Sequence, residues 1–295
     1  MGRDLARVEP AARRTFEEAD DVLGVPISRL MWNGPDEELV LTRNAQPAIL
    51  THSIAVFRCV EDELGPVSHA AGHSLGEFSA WVAAGAISFA DALEVVRLRG
   101  ELMFEAGTRR PGTMAALLGI DDDAATRLCE ASSHGPESVV VPANLNAPGQ
   151  VVISGDDDAV QRAVDDARDA GAKKAIPLNV SGAFHSPLMQ GAVEGLRERL
   201  ERVKFERPAF PVVSNVTARP VEDQDLIADL LVRQLTTPVR WAESVGTMVD
   251  SGVDRFLELG PGSVLTGLNR RNARGTETLA LNEPEAISDF RGGSA

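Results

Sequence analysis

Five residues, Gly72-His73-Ser74-Leu75-Gly76, limit what this chain can fold into more than any other stretch. They follow the small residues of "HAA" and open a helix-like run, "LGEFSAWVAA", so the backbone must pass from strand to helix in one sharp turn. Such a strand-to-helix passage belongs to an α/β fold, in which helices cover a parallel sheet. The spacing is G-x-S-x-G: glycines stand where side chains would clash, and the serine hydroxyl is lifted out of the sheet. Because the helix starts at the serine, its free N–H groups face any anion forming there, and Leu75 N–H is the candidate oxyanion donor. A small residue in a tight turn is the other reading of Ser74.

The surrounding pattern extends the α/β reading. The opening "MGRDLARVEPAARRTFEEADDVLG" is polar and helical, closed by Gly24, and a second helix is expected from about Asn44 to Leu64. Helices Leu75–Ala84 and Ala90–Ala106 follow the serine turn, split by Gly85. From Gly112 the texture changes. "TMAALLGI" reads as a strand, "DDDAATRLCEASSHG" as a capped helix, "SVVVPANL" and "QVVISG" as strands joined through "NAPG", "DDDAVQRAVDDARDAG" as a helix, and "KKAIPLNV" as a last strand. That β-α-β-β-α-β order is a ferredoxin-like unit. We expect it as an inserted subdomain over 113–182, with a discontinuous hydrolase-like α/β core over 1–112 and 183–295. Helices alternating with "FPVVSNV", "RFLELG" and "TLAL" complete the parallel sheet, and "RGGSA" reads as a loose tail.

Composition narrows the partners. The 29 basic and 44 acidic residues give a formal charge of −15, which argues against nucleic acid or an anionic membrane surface. Only three of the basic residues are lysines: Lys173, Lys174 and Lys204. Apolar residues make up 43% of the chain, enough for a packed core. Cys59 and Cys129 lie far apart without CxxC spacing, so two reduced thiols are expected rather than a disulfide or a metal site. No apolar run reaches the length of a membrane span and no signal peptide opens the sequence, so a cytoplasmic protein is expected.

A nucleophilic serine needs a base, and five histidines are available: His52, His69, His73, His134 and His185. His73 adjoins the serine, where the turn should point it elsewhere; His52 falls within a helix, His69 in the strand and His134 at a helix end. His185 follows Ser181-Gly182-Ala183-Phe184, where the inserted unit ends and the main sheet resumes, a place where sites tend to form. It is the expected base. An ordinary α/β-hydrolase runs serine, acid, then histidine near its end, whereas here no histidine follows His185. The third group therefore need not be a carboxylate.

Arg99 adds a charge to this site. At 100° per residue, Ala92, Val95, Val96, Leu102 and Met103 fall within about 60° of it on the helix, and Glu94, Arg97, Glu101 and Glu105 lie opposite. Arg97 is then solvated, and Arg99 projects from the buried stripe. A buried guanidinium cannot shed its charge, so either an internal carboxylate or a substrate carboxylate must meet it. Beside a serine nucleophile, an acyl group that carries its own carboxylate is the favoured partner.

Ser74, Arg99 and His185 together resemble the malonyl-CoA:acyl carrier protein transacylase family of fatty-acid and polyketide synthesis. The resemblance runs from residue 1 to about 285 through "GHSLGE" (72–77), "RGELM" (99–103), "GTMAAL" (112–117), "NAPGQVVISG" (146–155), "SGAFHSPLM" (181–189), "VRQL" (232–235) and "ELGPGSVLTGL" (258–268). It implies ping-pong transfer: Ser74 attacks the malonyl thioester with His185 as base, Arg99 holds the malonyl carboxylate, and the phosphopantetheine thiol of acyl carrier protein takes the acyl group. It also implies that the backbone carbonyl of Gln234 orients His185, where an aspartate would repel the bound malonyl group. Phe184 is implied to crowd an α-methyl branch, and Met103, Met114, Asn144 and Asn146 to line the substrate cleft; turn formation in "NLNAPG" is the other reading of the asparagines. No bound cofactor or metal is implied, and a monomer is expected. Lys173, Lys174, Arg270, Arg271 and Arg274 are candidate contacts for an acidic carrier protein, with a solvated charge run as the alternative. Two other functions compete: a serine thioesterase or hydrolase, and a non-catalytic carrier-protein-binding remnant. The second is motivated by a departure at the start. The family opens with a strand and a Gly-Gln-Gly-Ser-Gln-like turn whose glutamine gives a second oxyanion N–H, whereas "MGRDL" resembles the segment just after that turn. About fifteen residues with one central strand are expected to be missing, through a misplaced start codon rather than a natural truncation.

Overall fold

The computed structural model describes residues 1–293. The chain begins with α1 (Arg3–Val8), α2 (Pro10–Leu23), α3 (Ile27–Asn33), α4 (Asp36–Leu39) and α5 (Thr42–Val60). The single opening helix expected from the sequence is divided at Glu9-Pro10: proline lacks the N–H that would continue α1 but suits the first position of α2. Gly24 closes α2 in the left-handed region, at φ 63°. Strand β1 (Ala70–Ala71) leads through the serine turn into α6 (Gly76–Ala83), and α7 (Phe89–Arg109) comes next. Ser88 caps α7, its Oγ accepting the Asp91 N–H at 3.0 Å.

Beyond α7 lie β2 (Thr113–Leu118), α8 (Asp122–Ser132), β3 (Val140–Ala147), β4 (Gln150–Gly155), α9 (Asp157–Asp166) and β5 (Lys174–Pro177). The four strands form one antiparallel sheet in the order β3-β4-β2-β5, as a ferredoxin-like unit requires. Alternate residues of β2 and β4 (Ala115, Leu117, Val151, Ile153) are buried with Leu128 of α8 and Val160 of α9, so the unit has its own apolar core. Arg110, just after α7, grips Asp156 with Nε and Nη2 at 2.9 and 2.7 Å and ties this unit to the main one.

The chain then returns through α10 (Gln190–Leu200), β6 (Val212–Val213), β7 (Pro220–Val221), α11 (Ile227–Arg233), α12 (Trp241–Asp250), β8 (Arg255–Leu259), α13 (Val264–Asn272), β9 (Glu277–Leu281) and α14 (Pro284–Gly293). Helix α14 takes in the first three residues of the tail expected at 291–295; Ser294 and Ala295 lie outside the described residues. Strand β1 pairs with β6 in parallel and β8 with β9 in parallel, while β7 is antiparallel to β6. The one parallel sheet expected of the core is thus present as two pieces. Among the described residues no strand lies between β1 and β8, which line a groove of about 750 Å³ together with Ile49 and Phe57 of α5. The strand expected over "FPVVSNV" is short because the chain turns back into β7 just after Ser214, whose N–H still meets Arg219 O opposite it, while the Asn215 N–H turns away to Glu77.

Candidate active site

Ser74 sits at φ 50°, a left-handed conformation that a serine adopts only where its surroundings impose it. Those surroundings are specific. A Cβ on Gly72 would lie 1.9 Å from the Gly76 backbone, so strand and helix approach too closely for any side chain there. A Cβ on Gly76 would meet nothing within 4 Å, so contact demands only the first of the two glycines expected to avoid clashes. Asn215 clasps the turn, with Oδ1 accepting the Ser74 N–H and Nδ2 donating to Gly72 O, both at 2.7 Å. The N–H groups of Gly76 and Glu77 are taken by His73 O and Ser74 O.

His185, in the loop between β5 and α10, also lies in the left-handed region, at φ 56°, and is buried. Its Nε2 is 2.8 Å from Ser74 Oγ, and its Nδ1 is 2.8 Å from Gln234 O. A carbonyl can only accept, so Nδ1 carries the proton and the Nε2 lone pair faces the serine hydroxyl. Burial, and then the field of Arg99, push His185 down to about 3, with the Gln234 carbonyl opposing. The imidazole is neutral near pH 7. The other four histidines lie elsewhere: His73 is joined by Nε2 to Asn146 Oδ1 at 2.8 Å, His52 is buried in α5, His69 is half-buried beside β1, and His134 is exposed after α8.

Arg99 is 1% exposed, as its place on the apolar stripe of α7 predicts, beside buried Ala92, Val95, Val96 and Met103; Leu102 is half-buried. Its guanidinium donates from Nη1 to Gln46 Oε1 at 2.7 Å and from Nη2 to Gln234 Oε1 at 2.9 Å and Ser74 Oγ at 3.3 Å. It also lies over the Phe78 ring, 5.7 Å from the centroid. Every one of these partners is neutral, and Nε has none among the described residues. Burial lowers Arg99 to about 10, against the nearby Glu77 carboxylate, so it stays charged at neutral pH. Arg97, expected to be solvated, is only half-exposed and is held by Glu101 and Asn44.

The remaining expected residues divide. Met114 is buried with Ala143 and Val152, and half-buried Phe184 packs on that cluster, one residue before the base. Met103 lies under Gln46, whose Nε2 is 3.5 Å from its sulfur. Asn144 and Asn146 belong to β3 rather than to a turn: the backbone around Asn144 pairs with Val239, and the Asn146 side chain is engaged with His73. Three site residues were missed in the sequence. Gln46 shares a buried helical stripe with Leu50 and Ile54, a periodicity of the kind that marks Arg99. Glu77 stands in the quoted motif "GHSLGE", and Asn215 comes just after β6; neither position carries a signal by itself.

The acyl transferase domain model matches residues 1–283. The chain belongs to the acyl transferase family. Its similarity to malonyl CoA-acyl carrier protein transacylase of Bacillus subtilis is 46% identity over 287 residues, 97% of this chain and 90% of that protein. The Escherichia coli K12 protein of the same name is 45% identical over 289 residues, covering 98% and 93%. Among solved structures, the chain resembles a malonyl-transacylase in complex with a type II polyketide-synthase acyl-carrier protein (43% identity, TM-score 0.94, 99% and 94% covered). It also resembles an acyl carrier protein S-malonyltransferase from Vibrio cholerae (42%, TM-score 0.93, 98% and 94% covered). The acyl transferase fold of this chain is the hydrolase-like core with a ferredoxin-like subdomain expected from its sequence.

Proposed function

We propose that this chain moves a malonyl group from malonyl-CoA to the phosphopantetheine thiol of acyl carrier protein, with Ser74 as the covalent carrier. The observation that carries the reading is Arg99: a buried cation 3.3 Å from Ser74 Oγ whose hydrogen-bond partners are all neutral. A carboxylate on the acyl group supplies the directly bonded countercharge that none of these partners provides, at a fixed distance from the attacking oxygen.

Each step uses an atom already in position. His185 Nε2 takes the Ser74 proton as Oγ bonds to the thioester carbon. The hydrogen bonds of the turn occupy the N–H groups of Ser74, Gly76 and Glu77 and leave that of Leu75 for the oxyanion. Collapse breaks the carbon–sulfur bond, and the proton on His185 passes to the CoA thiolate. The carrier-protein thiol then attacks the malonyl ester, His185 takes its proton and returns it to Ser74, and the hydroxyl is restored. The Gln234 carbonyl holds the imidazole without adding a negative charge beside the malonyl carboxylate. Met103, Met114, Phe184, Asn144 and Asn146 are assigned to the walls of the cleft, with Phe184 against an α-methyl branch. The reaction needs CoA and carrier-protein substrates, and we assign it to the cytoplasm. No helix among the described residues is long and apolar enough to cross a membrane.

The test is acyl selectivity in Arg99→Ala. Malonyl loading of Ser74 should fall about 100-fold or more, the cost of losing one partner of a buried charge pair, while acetyl loading persists. Parallel loss of both would make Arg99 a structural residue and overturn the reading.

A further inference from the structure

A buried carboxylate that the reaction leaves without a task lies just beyond the nucleophile. Glu77, in the first turn of α6, is fully buried and forms no ion pair among the described residues. Its Oε2 accepts the Gln234 side-chain Nε2–H at 2.6 Å and the Asn215 backbone N–H at 3.2 Å. The Gln234 amide nitrogen also lies 3.0 Å from Ser74 O and 3.3 Å from Asn215 Oδ1, and the amide oxygen accepts from Arg99 at 2.9 Å.

Gln234 is therefore an amide clamped between an acid and a cation. Its nitrogen is surrounded by three acceptors and its oxygen faces a guanidinium, so a flip would place like against like at both ends. The same residue lends its backbone carbonyl to His185, and Asn215, also held by Glu77, fixes both sides of the serine turn. One carboxylate oxygen thus sits behind the clamp, the base and the nucleophile.

We propose that Glu77 is a positioning residue, fixing Gln234 and Asn215 and, through them, Arg99, His185 and the backbone of Ser74. This rests on the reading of Ser74 as the acylated nucleophile. The role needs an acceptor, and the oxygen of a glutamine can supply one.

The test compares wild type, Glu77→Ala and Glu77→Gln, each as folded monodisperse protein. The readouts are Ser74 labelling by a fluorophosphonate probe and malonyl-transfer kinetics. Loss of the anchor lets catalytic atoms drift, so Glu77→Ala should label and turn over about 100-fold more slowly. Because Gln234 also holds Arg99, the KM for malonyl-CoA should rise several-fold as well, and Glu77→Gln should recover both rates and this KM to within about threefold of wild type. Should Glu77→Ala fail to fold, Glu77→Met, similar in volume but without an acceptor oxygen, takes its place with the same expected loss. Wild-type rates in the variant lacking an acceptor, or equal losses in that variant and Glu77→Gln, would overturn the proposal. Failure of the wild type to label at Ser74 would instead strike the reading beneath it.

Discussion

Arg99 and His185 share one small volume, and each sets the other's chemistry. The guanidinium keeps its charge: the nearby Glu77 carboxylate opposes the lowering by burial, and hydrogen bonds to Gln46 and Gln234 satisfy part of its donor set. That charge, added to burial, disfavours a second cation on His185 and lowers it from 6.5 to about 3. The sign gives a pH prediction. A base whose proton is lost only above about pH 3 is already free across the range where an ordinary imidazole titrates. The rate of Ser74 acylation by malonyl-CoA should therefore show no acid limb centred near 6.5, and should hold down to about pH 5. Stopped-flow acylation against pH measures this in Glu77→Gln, which removes the buried acid that burial raises to about 7, and a half-maximal point at 6–6.5 there would show that His185 is neither buried nor close to Arg99 as described.

At the scale of elements, the site depends on how closely α5 and α7 cross. A Cβ on Gly100 would lie 2.6 Å from Arg43 Cα and 2.8 Å from Thr42 O, so this glycine permits the approach that puts Gln46 beside Arg99. Gly100→Ala should push the helices apart, cost about 1–3 kcal/mol of stability and raise the KM for malonyl-CoA several-fold. Denaturant unfolding and steady-state kinetics check both arms; unchanged values in both would mean that the crossing does not set the clamp. Elements with their own signals were legible in the sequence. The ferredoxin-like unit has alternating strands and an aspartate cap on α8, where Asp121 accepts the Ala124 N–H at 2.7 Å. The short β6 was not legible, because its ladder is cut by Asn215, whose groups are drawn across the core to Gly72, Ser74 and Glu77. Such long-range demands leave no local pattern.

At the scale of the molecule, three segments far apart in sequence meet at one point: the turn after β1, the buried face of α7 and the loop before α10. Ser74 and Arg99 were readable from spacing and periodicity, and His185 from its place at a junction. Gln234 was reached only through the family resemblance, since a backbone carbonyl has no residue-type signature. The two basic groups expected to meet a carrier protein turn out to be neighbours. Lys173 packs on the Gly119 turn that bonds to Gly149, and Arg271 donates to Pro148 O at 2.8 Å, so an exposed ridge runs from the small unit onto α13. Both groups stay candidate contacts for an acidic carrier protein, with exposed Asp121, Asp122 and Asp123 after the same turn. Discharge of malonyl-loaded enzyme tests transfer from Ser74 to the carrier-protein thiol. Enzyme treated with malonyl-CoA and freed of excess substrate is mixed with phosphopantetheinylated acyl carrier protein, and both proteins are followed by intact mass. One malonyl group should leave Ser74 and appear on the carrier-protein thiol faster than it appears as free malonate. Enzyme that never gains the malonyl mass, or that releases it to water while the carrier protein stays unloaded, would contradict that transfer.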